Sequence, residues 1–61
     1  MYQPMPVMIT RDYTPVEILQ PEALPTNAEQ AEDLAMEHGY NVKYSGQRAD
    51  EAGDFWTVSV E

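Results

Sequence analysis

Polar and apolar residues change their period several times along this chain, and each change predicts an element. Residues 1–6, Met-Tyr-Gln-Pro-Met-Pro, have no period. Their two prolines remove backbone donors and push the preceding residues toward extended geometry, so an extended arm is expected. From Val7 to Tyr13 the chain alternates, with Val7, Ile9 and Tyr13 on one side and Met8, Thr10 and Asp12 on the other, which predicts a strand despite Arg11 on the apolar side. Thr14-Pro15 interrupts, Val16 to Leu19 is a second extended run, and Pro21 and Pro25 bracket Glu22-Ala23-Leu24. One of the two runs is expected to join a sheet, with Pro15 marking an edge position or a bend.

Between residues 26 and 39 the period becomes helical. Thr26 followed by Glu29 reads as a capping box, in which each side chain satisfies a backbone donor of the first turn. Ala28, Ala31, Leu34, Ala35 and His38 share one face, and Gly39 is placed to end the helix in the left-handed conformation. The spacing predicts a helix over 27–38 whose alanine-rich face lies close to whatever it covers.

A period of two then returns. Tyr40, Val42 and Tyr44 alternate with polar residues, as do Trp56, Val58 and Val60 with Phe55, Thr57, Ser59 and Glu61, and the stretch from Gly46 to Asp54 reads as a long, charged surface loop. The fold class expected is α+β: a small antiparallel three-stranded sheet with one helix packed on one face and an extended, proline-rich N-terminal arm. It forms a single domain over 1–61, with arm and strand in 1–25, helix in 26–39 and a β-hairpin in 40–61. The last strand is the most apolar and is expected in the middle, between 40–45 and the N-terminal strand, with every neighbour antiparallel.

Composition narrows the classes. A chain of 61 residues buries only about 60% of its unfolded surface, so self-association or complex formation is a natural source of further stability, and a monomer or weak homodimer is expected. There is no cysteine, which excludes a disulfide framework, a thiolate zinc site and a thiol nucleophile, and suits a reducing cytoplasm. No apolar run has the length of a signal peptide or a membrane span, and with its opening Met the chain reads as a complete, soluble, cytoplasmic product with no membrane partner. Its 43% hydrophobic content, with one Trp, one Phe and four Tyr, is that of a folded domain rather than an acidic disordered segment.

Charge changes the picture most. Eleven Asp and Glu face three Lys and Arg, a formal −8, and self-repulsion of that kind opposes compaction. Glu29, Asp33 and Glu37 form a stripe at i, i+4, i+8 opposite the alanine face, with Glu32 on its flank. Like charges at that spacing are unfavourable, and Glu37 sits at the negative end of the helix dipole. The stripe is either a solvated face that keeps a small protein soluble or a surface imitating a row of phosphates. Asp50, Glu51 and Asp54 form a second acidic group. They lack the spacing and closing Glu of a calcium loop, and they extend the helix's acidic surface only if they share its side of the sheet.

Other chemistry has little footing. His38 is the only histidine and reads as structural, packed against the sheet or interacting with the helix C-terminus. No G-x-S-x-G, phosphate-cradling glycine loop or H-E-x-x-H is present, so neither an enzyme nor a cofactor is expected. Tyr40, Tyr44 and Trp56 resemble a base-stacking set, but the charge argues against direct binding of nucleic acid, and packing against the helix is expected. Met1, Tyr2, Met5 and Met8 are expected to cover the second face of the sheet, contact with a partner being the alternative.

The proline-broken N-terminal strand, the helix T-N-A-E-Q-A-E-D-L-A, the run G-Y-N-V-K-Y and the final D-F-W-T-V-S-V together resemble the small acidic phage proteins that inhibit host machinery, among them anti-CRISPR proteins and inhibitors of host polymerase or nuclease. The resemblance covers most of the chain and lies in layout and charge rather than in a motif. It implies a stoichiometric inhibitor whose carboxylates enter the basic DNA-binding channel of a host defence complex, such as a CRISPR effector, in the host cytoplasm. The charge pattern itself nominates Glu29, Glu32, Asp33, Glu37, Asp50, Glu51 and Asp54 as the binding residues. Two other classes remain open: an adaptor or assembly factor using a sheet edge or the Met-rich arm, and an antitoxin or immunity protein against a basic nuclease.

Overall fold

The computed structural model describes residues 4–50 and 53–61, with the side chains of 49 and 50 excepted. The elements run β1 (Val7–Arg11), β2 (Thr14–Leu19), α1 (Ala28–Glu37), β3 (Val42–Asp50) and β4 (Gly53–Val60). The fold is α+β, one helix on a four-stranded mixed sheet of order β2-β1-β4-β3. The last strand is central, between β1 and β3. The expected three strands become four because both N-terminal runs pair, and the expected all-antiparallel arrangement fails for the same reason. β1 and β2 form a hairpin closed by Asp12 and Tyr13, at φ 52° and 65°, a two-residue turn with both residues left-handed. That added reversal leaves β1 running parallel to β4, with Val7 opposite Trp56 and Ile9 opposite Val58, while β3 pairs antiparallel to β4.

Two bulges decide which residues face the helix. Between Val42 and Tyr44 the register slips at Lys43, so Val42 lies opposite Val60 while Tyr44 lies opposite Ser59, on the other side of the sheet. A plain period of two had put Tyr40, Val42 and Tyr44 together. Tyr44 instead stands 56% exposed on the far face, and Tyr13, expected beside Val7 and Ile9, projects from the turn at 92% exposed. The second slip, opposite Ile9 and Thr10, adds Val16 to β2. The expected Gly46–Asp54 loop is also corrected: Gln47 to Asp50 pair with Trp56 to Gly53, so the hairpin ladder continues almost to the turn.

The core lies between the sheet and the helix. Met5, Val7, Ile9, Leu19, Trp56, Val58 and Val60 pack with Ala31 and Ala35, and Ala28, Leu34, Tyr40 and Val42 close its margin. Two alanines at the contact let the helix approach the sheet closely, as a bulkier pair would not. Met5, expected on the second face, belongs to this core, and Met1 and Tyr2 lie outside the described residues. Pro25 ties the arrangement together. Its carbonyl accepts from Met5 N at 3.1 Å and from the Trp56 indole N–H at 2.9 Å, so the N-terminal arm, the helix approach and the central strand share one acceptor.

Helix α1 begins one residue later than the sequence predicts. Asn27, not Thr26, is the N-cap, its Oδ1 accepting from Gln30 N at 2.8 Å. Gln30 reaches back to accept from Thr26 N at 3.0 Å and Thr26 Oγ1 at 3.2 Å, a reciprocal box made by Gln30 in place of Glu29. The exit follows prediction. Gly39, at φ 90°, donates to Met36 O, and Tyr40 donates to Ala35 O, the paired bonds of a left-handed helix stop. His38, expected to pack against the sheet or interact with the helix C-terminus, becomes the C-cap residue and is exposed.

Candidate functional site

The sheet has two unlike faces, and charge is divided between them. On the helix side stand Glu29, Asp33 and Glu37, all exposed along the outer surface of α1, as their spacing predicts. Glu32, on the flank, is half-buried, and its Oε2 accepts from Ser45 Oγ on β3 at 2.7 Å. The structure therefore brings together all four predicted helix carboxylates but engages one of them in holding α1 to β3. The last helical turn contains no basic residue, so Glu37 meets the negative dipole end without compensation on its own element.

The acids of the β3–β4 hairpin divide. Asp54 pairs with Ala49 and lies two residues before Trp56, which places it by strand alternation on the helix side of the sheet. That end of the sheet is also where the helix begins, since Trp56 bonds to Pro25. Asp50 is known here only by its backbone in β3, opposite Gly53, and Glu51 lies outside the described residues.

Two acidic residues, Glu22 and Glu17, were missed by sequence reasoning. Glu22 lines a groove of about 460 Å³ between the 21–25 segment and α1, together with Asp33 and Glu37. Pro21, Ala23, Pro25 and Leu34 supply apolar walls. A slot with a greasy floor and carboxylates at its rim suits a long cationic side chain, whose methylenes pack while its head stays paired and wet. The signal was present in the prolines at 21 and 25, which bracket a segment that bends at Glu22 and Ala23. The partner of Glu22 in space was not, because nothing in the sequence says on which side of α1 the segment passes.

Glu17 of β2 adds to the same side. Its carboxylate accepts from the Tyr40 hydroxyl at 2.6 Å, and this bond, with burial and the carboxylate's charge, raises the phenol above its ordinary 10.0. Glu17, Glu22, Glu29, Glu32, Asp33, Glu37 and Asp54 are thus seven of the eleven acidic residues, gathered around the helix.

The opposite face has another character. Met8, Thr10, Ile18, Tyr44, Gly46, Arg48, Phe55, Thr57 and Ser59 alternate onto it from the four strands. Thr10 and Ser59 hydroxyls bond to each other at 3.1 Å, and Phe55 is buried there, outside the helix-side core. No element packs on this face among the described residues.

Among the described residues no three His, Cys, Asp or Glu side chains gather as metal ligands, and no buried side-chain nitrogen or oxygen lacks a hydrogen-bond partner. No helix is long and apolar enough to cross a membrane among the residues described. Comparison with protein families, with curated proteins and with solved structures finds no match for this chain.

Proposed function

We propose that this protein is a stoichiometric acidic inhibitor that imitates nucleic-acid phosphates and occupies the basic DNA-binding surface of a partner, in the manner of an anti-CRISPR protein acting on a host defence complex. The observation that carries the reading is the gathering of carboxylates around α1, with Glu29, Asp33 and Glu37 exposed in one row. Successive members of that row rise about 6 Å along the helix axis, close to the advance of two phosphates along one DNA strand. Beside the row, the groove lined by Glu22, Asp33 and Leu34 offers a seat for one arginine or lysine of the partner. Glu32 plays a lesser part because Ser45 already holds it. Asp54 extends the acidic surface past the helix N-terminus, and Asp50 and Glu51, proposed from the charge pattern alone, complete the set of contacts. The same electrostatics would serve an immunity protein against a basic nuclease.

Strand addition, the mechanism of an adaptor, finds less support. Of the two edges, β2 carries Pro15, a bulge at Val16 and the charged Glu17, and β3 carries a bulge at Lys43 and the charges of Lys43 and Arg48, features that oppose pairing with another strand.

The test is capture of partners from host lysate at low and high salt, followed by competition with duplex DNA. The expected partner is a basic nucleic-acid-binding protein, released by salt and displaced by DNA. Reversal of Glu29, Asp33 and Glu37 to Lys should abolish capture with the fold intact. A partner retained at high salt and indifferent to DNA would sink the reading.

A further inference from the structure

We propose that the face of the sheet turned away from α1 is the contact between two copies of this chain, which join as a four-layer helix-sheet-sheet-helix dimer. The proposal is independent of the inhibitor reading.

Charge selects the occupant. Each copy carries a formal −8, and any approach through the helix side sets rows of carboxylate against one another. The opposite face presents Met8, Ile18, Tyr44 and Thr57 around the buried Phe55, with Arg48 among them and Asp12 beside Tyr44 and Ser59 at one end. Two copies meeting there hold their acidic helices as far apart as a two-fold arrangement allows. The composition is also that of an interface centre, where Tyr, Phe, Met and Arg are enriched and Asp and Glu depleted.

Area fits as well. Four strands of five to nine residues, about 4.8 Å apart and rising about 3.3 Å per residue, give a face on the order of 500 Å² per copy. That is below the roughly 800 Å² per partner of a standard interface, which argues for a weak, reversible dimer rather than an obligate one. Sheets stacked about 10 Å apart would bury Tyr44 and Ile18, now 56% and 51% exposed, and would add a second apolar layer to a domain whose main core lies on one side only. Edge pairing is the less suitable route, since β2 carries Pro15, a bulge and Glu17, and β3, the other edge, carries a bulge at Lys43 and two cationic side chains, Lys43 and Arg48.

Sedimentation equilibrium over a concentration series, at low and high salt, tests this. The expected mass rises from one chain toward two with concentration, and the dimer tightens as salt screens the mutual repulsion of the two copies, the reverse of the salt dependence of a complex with a basic partner. Tyr44→Lys and Thr57→Lys should each weaken the dimer tenfold or more. Both lower the net negative charge, so long-range repulsion between the copies does not grow, and the loss reports a cation placed within this face. Tyr44 is already half exposed, so that variant should fold, as far-UV circular dichroism checks. Glu29→Lys, on the helix side, should leave the dimer intact or strengthen it. A mass of one chain at every concentration and salt overturns the proposal. So does a dimer that survives both lysine substitutions, or one that a proline in either edge strand, Val16→Pro in β2 or Ser45→Pro in β3, abolishes while they do not.

Discussion

The indole N–H of Trp56 donates to the carbonyl of Pro25 at 2.9 Å inside the core, and the same carbonyl accepts from Met5 N at 3.1 Å. One oxygen thereby joins the central strand to the segment that delivers the helix. Trp56→Phe removes the indole donor and some volume while leaving Pro25 the bond from Met5, so the acceptor is not orphaned. The expected loss is about 1–3 kcal/mol. Urea unfolding followed by circular dichroism measures it, and an unchanged midpoint would show that the bond contributes nothing.

The helix cap separates two neighbouring residues. Asn27→Ala should cost about 1 kcal/mol, because Asn27 Oδ1 satisfies the Gln30 N–H. Thr26→Ala should cost less, since the Thr26 backbone N–H keeps its bond to Gln30 Oε1. Equal losses, or the reverse order, would restore the cap that the sequence alone suggests.

Left-handed backbone at a residue with a side chain is a measurable strain. Tyr13, at φ 65°, occupies a turn position that favours glycine, and its ring is almost wholly exposed. Tyr13→Gly should raise stability by up to about 1 kcal/mol. Gly39→Ala should lower it by about 1 kcal/mol through backbone strain alone, for an added Cβ there meets nothing within 4 Å. Thermal midpoints moving in opposite directions are the expected result.

Tyr40 has a pH signature. Its folded pKa is raised above the unfolded value of 10.0 by the bond to Glu17, so the contribution to stability is fully present below pH 10 and disappears as pH climbs through the folded pKa. Ultraviolet titration should show one phenol ionising at lower pH in Glu17→Gln than in the parent protein, because the bond that raises Tyr40 is gone. Superimposable titration curves would contradict the bond.

Stability and binding are expected to oppose each other at Glu37. Glu37→Lys puts a cation at the helix C-terminus and relieves repulsion with Asp33, so it should stabilise by about 0.3–1 kcal/mol. Under the inhibitor reading the same change weakens capture of a basic partner. A neutral effect on stability with full capture would count against a charge pattern kept for binding.

Much of the fold could be read from period alone. Trp56, Val58 and Val60 face the helix as their alternation says, and Ala31 and Ala35 sit at its contact. What escaped reading were one-residue events. The extra residue at Lys43 sends Tyr44 to the far face, and the Asp12-Tyr13 turn makes a hairpin of what looked like a broken arm, reversing the sense of β1 against β4. Neither carries a composition cue, since Lys is ordinary in a strand and Tyr is unusual in such a turn. For the site, the Glu29-Asp33-Glu37 row was legible because helical spacing is local. The seat formed with Glu22 was not, because it depends on how the 21–25 segment crosses the helix.

The side-by-side course of β1 and β4 has a mechanical consequence. Val7 and Trp56 are partners in a parallel ladder, so tension applied at the two ends of the chain pulls these central strands lengthwise past one another. All their hydrogen bonds are then loaded at once, instead of being unzipped singly as in a hairpin pulled open. A protein this small would resist stretching far better than its heat stability suggests, and a protease that works by threading its substrate from one end should stall on it.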